Sequence, residues 1–293
     1  MSTVTLVLGL LGEHIENSLS PLIHMNFIRY YSLNYSYLPF QIKSNNLEKA
    51  IIGAKALGIK GLNITIPFKA KAMRFIDDVV SVARNIGAIN TIVYKNEKIL
   101  GYNTDCNGFK VPLKDGLNIN LIGKKAVVLG AGGAARAVIF ALADEGCSVI
   151  SIFNRTEERT RQIKKQYRKN FSQCEIRSLP FCTKSLQKEI LETDLLVNTT
   201  PLGSWYYPDE NPLPEEIIIR PEIIVYDLIY YPDKTPLLQR AEMNGNRTVN
   251  GLQMLVYQAA ESFYLWTGIY PEREIINQTI RQIEQKNCNC KKR

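Results

Sequence analysis

The sequence predicts an α/β protein of two domains, and three observations carry that reading. The first hundred residues run strand, helix, strand, helix, strand, an order that suggests a mainly parallel sheet. Near Asp105 the chain changes character, and from Lys124 a strand, a glycine turn, an apolar helix and a second strand follow within about 30 residues. With 293 residues, 45% of them hydrophobic and 22% charged, the chain can build two cores.

In order, Val4 to Leu10 reads as a buried strand. It leads into a hydroxyl-rich loop, Gly12 to Pro21, where Pro21 suits the first position of a helix and Ser20 its N-cap. Ser18 is not explained by capping. Two short hydroxyls at i and i+2 beside a helix start suit a small carboxylate. Residues 35–42 read as a second strand and 46–57 as a helix ending at Gly58. Gly61 to Lys69 reads as a third strand, with Leu62, Ile64 and Ile66 on an apolar face and Asn63 and Thr65 on a polar one. Pro67 stops the ladder and Lys69 follows it. Lys71 to Arg84 looks helical. Residues 89–94 and 98–102 pair as a hairpin around Lys95, Asn96 and Glu97. In Asn103-Thr104-Asp105, Thr104 or Asp105 is placed to cap the next helix, and by spacing alone a cap is the stronger reading of Asp105.

Lys125 to Leu129 is a buried strand, and Gly130-Ala131-Gly132-Gly133-Ala134-Ala135 opens a helix to Ala143. Ser148 to Phe153 is the next strand. In that context the glycines allow a tight turn and close approach of a pyrophosphate to a helix N-terminus, which points to dinucleotide binding. The end of the second strand chooses between coenzymes. A carboxylate there accepts from ribose hydroxyls, whereas this chain has Asn154-Arg155-Thr156, with Arg159 one turn on. A guanidinium pairs with a 2′-phosphate, so the cofactor expected is NADP. Asp194 to Gly203 is a strand entering a polar turn, and a proline-rich loop to Pro221 follows. Residues 223–225 form a strand, Thr235 to Met243 a helix, and Leu252, Leu255, Val256, Ala259 and Phe263 one helical stripe.

Composition excludes several classes. The net charge of +8 is concentrated between Arg155 and Lys169 and at Lys291 to Arg293. No basic recognition helix with interleaved aromatics appears, so no nucleic acid partner is expected. The six cysteines form no CxxC and lie near no histidine pair, which argues against zinc. Cys288 and Cys290 sit in a polar tail read as a frayed terminus. Without a signal peptide or an apolar span of sufficient length, a cytoplasmic protein with no membrane partner is expected.

The motifs resemble the shikimate dehydrogenases over nearly the whole chain. The matching runs are Asn17-Ser18-Leu19-Ser20-Pro21, Asn63 to Lys69, Gly87-Ala88-Ile89-Asn90-Thr91 and Asn103-Thr104-Asp105. They continue with Gly130 to Ala135, Asn154-Arg155-Thr156, Asn198-Thr199-Thr200-Pro201-Leu202-Gly203, and Gly251-Leu252-Gln253-Met254-Leu255 with Gln258. Each is modest; eight in the family's order are highly specific. The resemblance implies a substrate domain of residues 1–104 and 250–293, with C-terminal helices returning to it, and a Rossmann NADP domain of residues 105–249. The family reduces 3-dehydroshikimate to shikimate with NADPH, on the route to chorismate and the aromatic amino acids.

Carried over, Ser18 and Ser20 resemble the hydroxyls that hold the substrate carboxylate. Asn63, Thr65, Asn90, Asp105 and Gln258 are similar to groups that read its ring hydroxyls, and Tyr230 to a tyrosine lining the same cleft. Lys69 and Asp105 correspond to the catalytic pair, placed where the chain leaves for the cofactor domain. Gly130, Ala131, Gly132, Gly133, Ala134 and Ala135 would take the pyrophosphate. Asn154, Arg155, Thr156 and Arg159 would take the phosphorylated ribose. Thr200, Leu228 and Gly251 complete the cofactor set, Gly251 near the nicotinamide. Departures are Asn17 in place of histidine, His24-Met25 in place of His-Asn, and Ser204-Trp205 where methionine usually follows Gly203. A broader quinate/shikimate dehydrogenase is the nearest rival. A non-catalytic NADP(H)-sensing module is a rival of another class, expected to lack the lysine or the aspartate. The sequence leaves open whether the chain forms a homodimer.

Overall fold

The computed structural model describes residues 4–290, and of residues 288–290 only the backbone. In chain order the elements are β1 (Leu6–Gly12), α1 (Ser20–Tyr30), β2 (Tyr35–Gln41), α2 (Leu47–Ala56), β3 (Gly61–Ile64), β4 (Asp78–Val79), α3 (Ser81–Ile86), β5 (Thr91–Lys95), β6 (Lys98–Tyr102) and α4 (Asp105–Val111). Then come β7 (Lys125–Leu129), α5 (Gly133–Asp144), β8 (Val149–Phe153), α6 (Glu157–Tyr167), β9 (Glu175–Leu179), α7 (Thr183–Leu191), β10 (Leu195–Asn198), β11 (Ile224–Asp227), α8 (Pro236–Met243), β12 (Thr248–Val249), α9 (Leu252–Thr267) and α10 (Arg273–Cys290). They form two compact units, Met1–Gly108 with Leu255–Gln282, and Phe109–Met254 with Ile283–Arg293. Lys291 to Arg293 lie outside the described residues.

The first unit holds a six-stranded sheet in the order β2-β1-β3-β5-β6-β4. β1 pairs parallel with β2 and β3, and β4 parallel with β6, while β3–β5 and β5–β6 are antiparallel. The antiparallel step follows from the tight turn at Asn96 and Glu97, both in the left-handed region, with φ of 50° and 58°. Leu62 and Ile64 point into an apolar cluster with Leu47, Ile51 and Ala54 of α2. Asn63 points to the opposite face, as the period of two requires. There Phe27 of α1 meets Phe263 of α9 at 5.6 Å between ring centroids.

Three local expectations fail for physical reasons. The strand from Gly61 ends at Ile64, and Ile66, next to the cis Ile66–Pro67 bond, is exposed rather than on the apolar face. Lys71 to Arg84 is not one helix but a 3₁₀ turn at Lys71–Phe75, then β4 and α3. The tertiary pull of β6 on Asp78 and Val79 overrides the local helical pattern. Ser20 does not cap α1. It lies inside the first turn, and its backbone N–H donates instead to the Ser18 hydroxyl at 3.3 Å. The tail also differs, since α10 runs through Cys290.

The second unit holds a wholly parallel sheet in the order β12-β11-β10-β7-β8-β9. Numbered from β7 as one, that is the doubly wound order 3-2-1-4-5-6, with its switch point between β7 and β10. The chain from 199 to 223 forms no regular element, yet buries Leu213, Ile217 and Ile219 in the core beneath it. No described helix is long and apolar enough to cross a membrane.

Two contacts fix the helical cover of the first sheet. A Cβ at Gly61 would lie 1.9 Å from the indole nitrogen of Trp266, which donates to the Ile92 carbonyl at 2.9 Å. His24 of α1 is fully buried and stacked on Tyr37 at 4.3 Å. Its Nε2–H donates to the Asn63 amide oxygen at 3.1 Å, and its Nδ1 has no partner. Burial pushes its pKa down to about 3, so the folded imidazole stays neutral.

Gly61→Ala is expected to destabilise the protein by about 1–3 kcal/mol, read from the urea midpoint, because α9 must move off the sheet. His24 is expected to make stability acid-sensitive. The unfolded imidazole takes a proton near pH 6.5 and the folded one only near about 3. Stability is therefore full above the upper value and is lost as pH falls between the two. Urea titrations from pH 7 to 5 should show a shallower decline for His24→Phe than for the parent; equal slopes would refute this.

Candidate active site

Lys69 is set by the turn that ends β3. Phe68 is wholly buried, and the Lys69 carbonyl accepts from the Ile89 N–H at 2.9 Å. With the backbone anchored on both sides, the ammonium reaches Asp105 Oδ2 at 2.5 Å, the two side chains being 15% and 5% exposed. Asp105 does not serve as the cap of α4. The Asn103 side chain accepts from the Cys106 N–H at 3.3 Å, which leaves the carboxylate for other partners. Its second oxygen accepts from Asn90 Nδ2 at 2.8 Å. At so low an exposure the pair is weakly screened, and removing either partner leaves an uncompensated charge.

Asn90 ties this pair to its surroundings. Its amide nitrogen lies within 2.9 Å of the Thr104 hydroxyl and 3.1 Å of Gln258 Oε1, and its oxygen accepts from the Thr104 N–H at 2.8 Å. Asn63 is held at both ends by the protein. Its Nδ2 faces the Asn90 carbonyl, the Thr91 hydroxyl and the Ser262 hydroxyl at 3.0–3.2 Å, while its oxygen accepts from Tyr37 and His24. Asn63, Asn90, Asp105, Lys69 and Gln258 thus form one connected polar network, and the Ser20 hydroxyl, which accepts from Ser18 at 3.2 Å, stands beside its Tyr37 end. Thr65 stands beside it, half-buried, and its hydroxyl has no hydrogen-bond partner among the described residues.

Sequence reasoning missed Tyr37, His24, Thr91, Thr104 and Ser262 as members of the network. Ser262 lies four residues after Gln258 on α9, so helical spacing alone could have found it. Nothing local marks Tyr37, whose place depends on β2 lying beside β1.

In the second unit, Gly130 follows β7 with φ of 110°, and a Cβ there would meet the Thr199 hydroxyl at 2.4 Å. The two loops at the switch point therefore touch, and only glycine allows it. At the start of α5 the opposite holds, since a Cβ on Gly132 would meet nothing within 4 Å. That leaves an open approach to the unpaired N–H groups of the first turn, as a bound pyrophosphate requires. After β8 the Asn154 amide donates to the Thr156 carbonyl at 2.9 Å and shapes the turn. Arg155 and Arg159 are exposed, and among the described residues no ion pair engages either guanidinium. These features fit a 2′-phosphorylated dinucleotide.

Thr200 bonds the Asn198 amide oxygen through both its N–H (2.9 Å) and its hydroxyl (2.7 Å). The Leu228 N–H donates to the Asn198 carbonyl at 3.0 Å. Gly251 donates to the Ile229 carbonyl at 2.9 Å, and a Cβ on it would lie 2.0 Å from the Leu228 oxygen. Thr200, Leu228 and Gly251 are therefore neighbours at the ends of β10, β11 and β12. Tyr230 belongs to this second unit, whereas the polar network belongs to the first. Its phenol is half-buried, and burial pushes its pKa up to about 12.

Known proteins give this arrangement a family. The profile of the shikimate dehydrogenase substrate binding domain matches residues 10–92. That of shikimate / quinate 5-dehydrogenase matches 114–200, and that of the shikimate 5′-dehydrogenase C-terminal domain matches 251–281. A shikimate dehydrogenase (NADP(+)) of Caldanaerobacter subterraneus subsp. tengcongensis is 41% identical, over 96% of this chain and 98% of its own length. The solved structure of shikimate 5-dehydrogenase from Thermus thermophilus in complex with NADP(H) and shikimate aligns with a TM-score of 0.82 at 34% identity. It covers 94% of this chain and 99% of that one. The ligand-free 5-ketofructose reductase of Gluconobacter sp. strain CHM43 aligns with a TM-score of 0.81 at 29% identity, covering 96% and 100%. On a relative 41% identical across nearly its full length, this chain belongs to the shikimate dehydrogenase family.

Proposed function

We propose that this protein is an NADP-dependent oxidoreductase that interconverts 3-dehydroshikimate and shikimate, on the route to chorismate and the aromatic amino acids. The observation that carries the reading is the buried Lys69–Asp105 pair, held through Asn90 in a polar network that has the Ser18 and Ser20 hydroxyls beside it. Ser18 and Ser20 take the substrate carboxylate. Thr65, Asn90, Asp105 and Gln258 read the ring hydroxyls, Thr65 being the one whose hydroxyl is spare. Tyr230 is assigned to the same substrate. Asn63 is assigned to the same ring hydroxyls, with Tyr37, His24 and Ser262 holding its amide in place.

Bound NADPH supplies the hydride. The chain's own groups handle the charge that results. Lys69 directs its ammonium at the carbonyl oxygen, polarises it, and gives up a proton as the alkoxide forms. Asp105 holds the ammonium in place by the short ion pair, and Asn90 holds Asp105. Gly130 to Ala135 take the pyrophosphate, Asn154, Arg155, Thr156 and Arg159 the phosphorylated ribose, and Thr200, Leu228 and Gly251 the nicotinamide end. Cys106, Cys147 and Cys174, which form no disulfide among the described residues, suit the reducing cytoplasm, where we place the reaction.

A spectrophotometric assay offering shikimate or quinate with NADP⁺ or NAD⁺ tests this. Shikimate with NADP⁺ is expected to be the best pair. NADPH binding without shikimate-dependent turnover would favour a non-catalytic sensor, and equal rates on quinate a broader enzyme. Lys69→Ala should lower kcat by roughly 10²–10⁴-fold with a far smaller change in KM. Replacing Arg155 and Arg159 together by alanine should raise KM for NADPH roughly tenfold or more and leave that for NADH nearly unchanged.

A further inference from the structure

Asp227, at the end of β11, is completely buried and has no role in the catalytic set above. Its hydrogen-bonding partners are three neutral donors: Asn198 Nδ2 at 2.9 Å, the Ile229 N–H at 3.1 Å and the Thr235 hydroxyl at 2.7 Å. Each donor belongs to a different piece of the second unit. Asn198 ends β10 and orients Thr200 through its amide oxygen. Ile229 follows Leu228, and its carbonyl holds Gly251. Thr235 caps α8, accepting from the Leu238 N–H at 3.2 Å. Three loops and one helix start are thus tied to one carboxylate.

We propose that Asp227 is a positioning residue for the nicotinamide end of the NADP site, acting through Asn198, Ile229 and Thr235. This rests on the NADP reading given above. Thr200, Leu228 and Gly251 are the three cofactor residues outside the glycine turn and the arginine loop, and each is one hydrogen bond or one close contact from a group that Asp227 holds. A carboxylate suits the task because all its lone pairs accept, and all three neighbours donate. An amide in its place would turn an NH₂ toward at least one of them: against Asn198 or the Ile229 N–H two donors would face each other, and against the Thr235 hydroxyl the bond would reverse and leave the hydroxyl proton without its acceptor. The loop carrying Arg155 shares none of these bonds, so the 2′-phosphate end is held independently of Asp227, and the glycine turn after β7 meets the β10 loop only by packing at Thr199 and Thr200.

The two ends of the coenzyme can be told apart with a probe that has only one of them. In the full-length protein, 2′,5′-ADP binding and steady-state kinetics with NADPH are compared for Asp227→Asn, Thr235→Val and Thr235→Ser. Asp227→Asn is expected to lower kcat at least tenfold, with the 2′,5′-ADP Kd and the substrate KM both within twofold. Thr235→Val should move kcat in the same direction, and Thr235→Ser should restore it; these two carry the test if Asp227→Asn does not fold. A parallel loss of 2′,5′-ADP affinity, or a lowered Tm with normal kcat, would overturn the inference and leave Asp227 a core-stabilising group. Failure of the parent protein to bind 2′,5′-ADP or NADP⁺ would instead overturn the NADP reading itself.

Discussion

The first unit depends on the satisfaction of one buried carboxamide. Asn63 lies on a strand whose neighbours Leu62 and Ile64 serve the apolar core, so strand periodicity forces its polar group toward the other face. Leaving that amide unpaired in the interior would cost about 1–3 kcal/mol per unmet group. Each partner that meets the demand comes from a different element: Tyr37 from β2, His24 from α1, Thr91 from β5 and Ser262 from α9. A polar group that only a complete fold can satisfy specifies that fold. The same bonds carry order outward to Asp105 through Asn90, and Tyr37, held by Asn63, stands beside Ser20.

The second unit solves a like problem with a different group. Its central strands β7 and β10 are apolar on both faces up to Asn198, as a covered parallel sheet demands, and the polar groups around the switch point lie at the strand ends. There, side-chain bonds stand in for regular structure. Asn198 and Asp227 lock the loops after β10 and β11, and Thr199 and Gly130 press the loops after β10 and β7 together. What remains free is the face a ligand needs, the open approach at Gly132 and the unpaired guanidinium groups of Arg155 and Arg159.

Much of this is legible in the chain, and the exceptions share a cause. The glycine turn and the arginine loop lie in short motifs whose chemistry is local, whereas the Lys69–Asp105 pair, 36 residues apart, is legible only through the family resemblance. The α/β class follows from periodicity, and the two strand–turn–helix units fall where expected within a residue or two. Lys71 to Arg84 misleads because its helical pattern is broken by pairing with a strand about twenty residues away. Ser20 looks like a cap because propensity cannot tell a residue just before a helix from one just inside it. Tyr37 and His24 are invisible as site residues, since their roles exist only once β2 and α1 surround Asn63, whereas Ser262 is signalled by its helical spacing from Gln258. Asp227 reads in sequence as an ordinary strand end, and only its three donors reveal it.

His24 has a consequence for the proton inventory of the first unit. An imidazole in a catalytic domain is the usual suspect for any ionisation near neutrality. Here burial holds it uncharged, and burial also holds the Tyr37 phenol well above its ordinary range. The remaining members of the network are alcohols and amides, which do not titrate. Lys69 and Asp105 are its only charged members. The buried histidine makes the network simple by being silent.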